Sequence, residues 1–176
     1  MKLLSIRQLM LTSMLLAVLI VQELALSILP NVQLTFVLLL VYAAVLPGYQ
    51  LGILVLAYVF LDNLIFGSLH FFVVAPMLMA WTLYVILGRL LRNRSIIVIL
   101  IFVTLFSFFY GWIFIPFTYF QFYQGVPGAI KALIVADIPF DLILAVNGYF
   151  TTLALYRPLV GLITTFQSTR NQGWRL

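Results

Sequence analysis

Apolar residues run along the chain in long unbroken stretches, and the breaks between them are short. Pro30, Pro47-Gly48, Gly67-Ser68, Arg92-Asn93-Arg94 and Pro116 punctuate the sequence at intervals of roughly a membrane thickness. The stretches predict six helices, at residues 9–29, 33–46, 49–66, 72–91, 96–114 and from 128 to Arg157-Pro158. A polar, aromatic segment at 118–127 precedes the sixth, and a polar, basic tail follows at 167–176. No alternation of period two marks a strand, so a transmembrane barrel does not fit. A backbone that satisfies its own hydrogen bonds in lipid is by default helical.

Composition explains why these runs belong in a bilayer. Of 176 residues, 65% are hydrophobic and 7% charged, against about 25% charged in a soluble domain. Mean hydropathy is +1.23. A helix needs about 20 apolar residues to cross the hydrocarbon layer, so the length suits six crossings in one domain, residues 1–176. Lys2 and Arg7 precede a first run too long for the apolar core of a signal peptide, and no small-residue cleavage site is evident. It is therefore expected to stay as the first helix. With no cysteine, disulfides, thiolate metal sites and cysteine nucleophiles drop out.

The net charge of +5 would suit nucleic acid, but its placement suits the positive-inside rule. Lys2, Arg7, Arg89, Arg92, Arg94, Arg157, Arg170 and Arg175 all fall on one side of a six-helix arrangement; Lys131 alone falls on the other. The expected fold class is an all-α membrane protein with both termini cytoplasmic, in a bacterial cell membrane.

The four acids give this topology a function. Glu23, Asp62, Asp137 and Asp141 lie inside predicted helices, where an ionisable group costs a few kcal/mol and usually faces a cavity, a partner or a path. Glu23, Asp62 and Asp137 fall in the outer half, with Asp141 one turn deeper. Asp137 and Asp141 share a helix face, and Pro139 between them should loosen that helix. Asn31, Gln33, Asn63, Ser68, His70, Gln121, Tyr123 and Gln124 add polar groups on the same side. Together with Trp81, Tyr84, Tyr110 and Trp112 they suggest an outward-open pocket for a small, polar, ring-containing molecule. Simpler roles are also open. Glu23 or Asp62 would serve as interhelical hydrogen-bonding groups, Asp137 as a partner of Lys131, His70 as a solvated residue, and the aromatics as packing or interface anchors. One histidine, no metal-ligand cluster and no phosphate-binding GxxxxGK[ST] loop argue against an enzyme, a metal or a cofactor of its own. Ser13 and Ala17, four apart in the inner half of helix one, form a small-residue face suited to close helix approach, within the chain or with a partner.

Three stretches bring a family into view: Ser13 and Ala17 with the loop Leu29-Pro30-Asn31-Val32-Gln33-Leu34-Thr35; Asp62-Asn63-Leu64-Ile65-Phe66-Gly67-Ser68 leading to Trp81 and Gly88-Arg89; and Ala136-Asp137-Ile138-Pro139-Phe140-Asp141-Leu142 through Asn147 to Tyr156-Arg157-Pro158-Leu159. In these the chain resembles the substrate-binding S components of energy-coupling factor (ECF) vitamin transporters. The resemblance implies a six-helix binding subunit working with a transmembrane coupling subunit and two cytoplasmic ATPases, which use the ATP. It also implies loops after helices one and three that cover the substrate, and a docking motif of two small residues on helix one. Here that pair is Ser13 and Ala17, serine replacing the usual alanine. A second resemblance is to the rod-shape scaffold protein MreD, through Asp62 and Phe66-Gly67-Ser68. Carboxylates and aromatics together favour a hydroxymethylpyrimidine- or pyridoxine-like substrate. Cobalamin, riboflavin and a queuosine precursor stay open.

Overall fold

Ser5 starts the first helix by accepting the Gln8 N–H at 3.3 Å, while the Gln8 side chain accepts the Ser5 N–H at 3.0 Å. This reciprocal cap satisfies two backbone donors that a helix start otherwise leaves free. The structure is a computed structural model describing residues 5–67 and 69–172, with side chains to residue 165. Seven α-helices follow one another: α1 Ile6–Leu26, α2 Thr35–Val45, α3 Gly48–Ile65, α4 Phe71–Leu91, α5 Ile96–Phe109, α6 Ile115–Phe122 and α7 Ala129–Gln172, with a single 3-10 turn, Gly111–Ile113, between α5 and α6. No strand occurs among the described residues.

Of these, α1, α3 and α4 are long and apolar enough to cross a membrane. A belt of exposed Leu, Ile, Val, Phe and Met surrounds the bundle, including Met14, Ile53, Phe60, Leu83, Ile101 and Phe150. Water penalises so much exposed apolar surface and lipid does not; the chain is an all-helical membrane protein.

α2 is the axis of the bundle. Thr35 through Ala43 are buried at every position, so this helix has no lipid-facing or solvent-facing side. It packs on α7, α4, α1 and α3. At 11 residues it is about 16 Å long, roughly half the hydrocarbon thickness. Its C-terminal end is held by Arg89, whose Nη1 donates to the Leu46 carbonyl at 2.6 Å. A cation on the last carbonyls is favourable there. α1, by contrast, buries only the stripe Thr12, Leu15, Leu19 and Gln22, one helical face. Gln50 of α3 reaches that face, donating to Thr12 Oγ1 at 2.8 Å.

Two element boundaries differ from the sequence-based expectation. The fifth helix does not reach residue 114: it ends at Phe109, the 3-10 turn occupies the last part of its expected span, and α6 covers residues 115–122, so that it takes in the first half of the expected polar segment 118–127. Pro116 sits in the first turn of α6, where its missing N–H costs nothing. The last helix does not stop at Arg157-Pro158 but runs 44 residues through both Pro139 and Pro158. Past Pro158 its residues Leu159, Val160 and Ile163 still pack on the core, and that packing outweighs one lost backbone hydrogen bond. Part of the expected polar tail is thus helical; Lys2, Ser68 and Arg175 lie outside the described residues.

Candidate ligand cavity

α2 begins well below the end of α1. The space above its first turn is a cavity of about 740 Å³, within the range of small-molecule sites. All four acids of the chain line it: Glu23, Asp62, Asp137 and Asp141. Arg89 grips the opposite end of α2, and Arg92 and Arg157 border a separate hollow beside Ala44 near that end. The bundle is polarised along its axis, with acids at one end and arginines at the other.

One acidic wall comes from α1 and α3. Glu23 Oε1 accepts the Thr35 hydroxyl at 2.7 Å and the Tyr58 hydroxyl as well. The Asp62 carboxyl lies beside it, close enough to hydrogen-bond. Glu23 Oε2 is buried and receives no hydrogen bond. Facing this, α7 and the 3-10 turn make the second wall. Asp141, 3% exposed, accepts Trp112 Nε1 at 3.1 Å and the Gly111 backbone N–H. Asp137, one turn nearer the mouth, is half-buried. Gly111 is required there because a Cβ would sit 2.7 Å from Asp141 Oδ1.

Aromatic rings form the floor. Trp81 and Tyr110 line the cavity with ring centroids 4.9 Å apart, and Phe36 supports both at 5.0 and 5.6 Å. Trp81 is 1% exposed, yet its indole N–H has no partner. Phe66, Phe114 and Phe140 complete the apolar lining.

The connection between α1 and α2 forms the rim, with Asn31 and Gln33 on the cavity side. Three hydrogen bonds hold it down. Gln22 Oε1 accepts the Leu34 N–H at 2.7 Å, Gln22 Nε2 donates to Thr35 Oγ1 at 2.8 Å, and Asn147 Nδ2 donates to the Gln33 carbonyl at 2.6 Å. Asn31 takes a left-handed backbone, φ 59°, which asparagine tolerates better than branched residues.

Of the residues singled out from sequence, Glu23, Asn31, Gln33, Asp62, Trp81, Asp137 and Asp141 meet in this one cavity. Tyr110 joins them, whereas Trp112, Gln121, Tyr123 and Gln124 do not line it, and neither do three others. Tyr84 lies under the floor and donates to the Phe36 carbonyl at 2.9 Å. Asn63 turns inward, donating to the Val59 carbonyl and to Met77 Sδ, and Met77 lines the cavity while Asn63 does not. His70 is exposed and accepts the Phe72 N–H as the cap of α4. Tyr58, Thr35, Gln22 and Gly111 are the participants sequence reasoning did not single out as site residues. Ser13 and Ala17 are exposed on α1, so they do not pack within the chain. No family model, characterised protein or solved structure matches the chain.

Proposed function

We propose that this chain is the solute-capturing subunit of a membrane importer of the ECF type. It would cross the membrane six times with both termini inside and take a vitamin or vitamin precursor, such as a hydroxymethylpyrimidine- or pyridoxine-like molecule, from outside. One observation carries the proposal: every acid in a 176-residue chain converges on one aromatic-floored cavity at the end opposite the arginines. Under the positive-inside rule the arginine end faces the cytoplasm, which turns the cavity outward. Buried carboxylates are too costly in a membrane to be kept for packing alone, which favours a binding subunit over a scaffold.

In this mechanism the solute enters over the rim of Asn31 and Gln33 and displaces water from the aromatic floor. The loaded subunit then docks through the exposed Ser13–Ala17 face of α1 onto a transmembrane coupling subunit. Two cytoplasmic ATPases bound to that subunit supply the energy for inward release.

Expression in its native background followed by mild detergent purification tests this. Two ATPases and a membrane subunit should co-purify. Recovery of cell-wall elongation proteins in their place would overturn the importer reading in favour of an MreD-like scaffold.

A further inference from the structure

The cavity is as distinctive in charge as in shape. Four carboxyls line it, and no Lys, Arg or His stands among the described lining residues. The groups that do reach the acids are dipoles: the hydroxyls of Thr35 and Tyr58, the Trp112 indole and the Gly111 N–H. None carries a charge. Like charges placed side by side, as Glu23 and Asp62 are, repel when both ionise, and a cation between them relieves this.

Two buried atoms of the cavity lining are left over, and they are of opposite type. Glu23 Oε2 is an acceptor that no hydroxyl or N–H reaches, with the Asp62 carboxyl beside it; Trp81 Nε1 is a donor without an acceptor. Buried groups of this kind are costly unless a partner meets them. A solute meeting both must bring a donor, at the Glu23–Asp62 wall, and an acceptor, at the floor. The Trp81 and Tyr110 rings add a negative face below the acids, which attracts a positive group lying over them.

Resting on the capture reading above, we propose that the solute is a small organic cation built on a flat nitrogen heterocycle. Its positively charged donor group lies against Glu23 and Asp62, its ring lies on Trp81 and Tyr110, and an acceptor atom takes the Trp81 N–H. Anionic solutes, including phosphorylated vitamins and carboxylic acids, are rejected.

A bacterial metabolite extract is the first probe. Ion exchange at neutral pH divides it into cation-retained, anion-retained and flow-through fractions. Each is added to the full chain in nanodiscs and thermal unfolding is followed. Stabilisation is expected from the cation-retained fraction and should be absent from the others. In the same format pyridoxamine, pyridoxine and 4-pyridoxate offer one ring with a cationic, neutral or anionic substituent, and their affinities should fall in that order. Trp81→Phe keeps the ring and removes the N–H; it should weaken the stabilising species by about tenfold, the size of one hydrogen bond. Glu23→Gln should abolish the preference for cations, and Asp62→Asn provides the same readout if that variant does not fold. Stabilisation by the anion-retained or flow-through fraction, or by none, would overturn the assignment. Co-purification of ATPases reads the transport proposal separately. ATPases without cation selectivity leave the importer standing and remove the charge class; selectivity without ATPases does the reverse.

Discussion

Two glycines show how tightly single residues define this molecule. A Cβ at Gly111 would meet Asp141 Oδ1 at 2.7 Å; one at Gly148 would meet Ser107 Oγ at 2.6 Å and Val103 Cγ1 at 3.2 Å. The first contact lies in the cavity wall, the second between α5 and α7 away from it. Overpacking of this kind typically costs about 1–3 kcal/mol. Gly111→Ala and Gly148→Ala should therefore both lower the unfolding temperature, while only Gly111→Ala should also impair ligand binding. Ser107 Oγ is buried without a partner, so Ser107→Ala should cost little alone and should restore part of the stability lost in Gly148→Ala, which a double-mutant cycle in detergent would show. The acids were legible in the sequence because a carboxylate inside an apolar run has few roles open to it. Tyr58, Thr35 and Gln22 were not, since a neutral polar residue in a helix is compatible with almost any position; only the fold reveals that Tyr58 and Thr35 converge on Glu23. Asn63 misled for a related reason: adjacent to Asp62, it lies about 100° around the helix and faces Met77 instead.

The helices were legible as apolar runs, but run length alone does not distinguish a helix facing lipid from one buried in the bundle. From sequence α2 reads like the other membrane-crossing helices, with a lipid face; it is half their expected length and has no outer face. Its shortness makes the cavity, and no pattern in its own residues announces that. The last helix illustrates the converse. Proline in a soluble helix interior costs about 3 kcal/mol, so Pro158 reads as a stop; core contacts beyond it override the signal. The native chain has no cysteine, which allows a direct test of burial. A cysteine at Ala43 should resist maleimide in detergent micelles, whereas a cysteine at Asn93, exposed beyond the end of α4, should react. In intact cells an impermeant maleimide should label a cysteine at Asn31 and leave one at Asn93 untouched, as the proposed orientation requires. The rim between α1 and α2 makes a second element-scale prediction. It is tied to α7 by the Asn147–Gln33 hydrogen bond, a contact made by no ligand-lining atom of α7. Asn147→Ala removes that tie and should speed ligand release about tenfold. Stopped-flow displacement would measure it, and unfolding free energy should fall by about 1 kcal/mol, the worth of one hydrogen bond.

At the scale of the whole molecule, the exposed face of α1 decides between a chain that works alone and one that works in a complex. Positions 10, 14, 18 and 21 of this face carry Met, Met, Val and Val, all strongly exposed, as a lipid-facing surface would. Ser13 and Ala17 interrupt it with small side chains that leave the backbone accessible. Lipid gains nothing from such a gap, because acyl chains pack equally well against leucine. A partner helix does gain, because small residues allow close backbone approach and larger ones forbid it. The double substitution Ser13→Leu and Ala17→Leu therefore separates the two cases. If lipid alone covers this face, uptake, ligand affinity and unfolding temperature should all stay as in the native chain. If a coupling subunit docks there, ligand affinity and stability should be unchanged, since the cavity lies at the far end of the same helix, while co-purification of the ATPases and uptake into cells should both be lost. Retained uptake in the double variant would remove α1 as the docking face and leave the acid-lined cavity as the part of the proposal still to be explained by another interface.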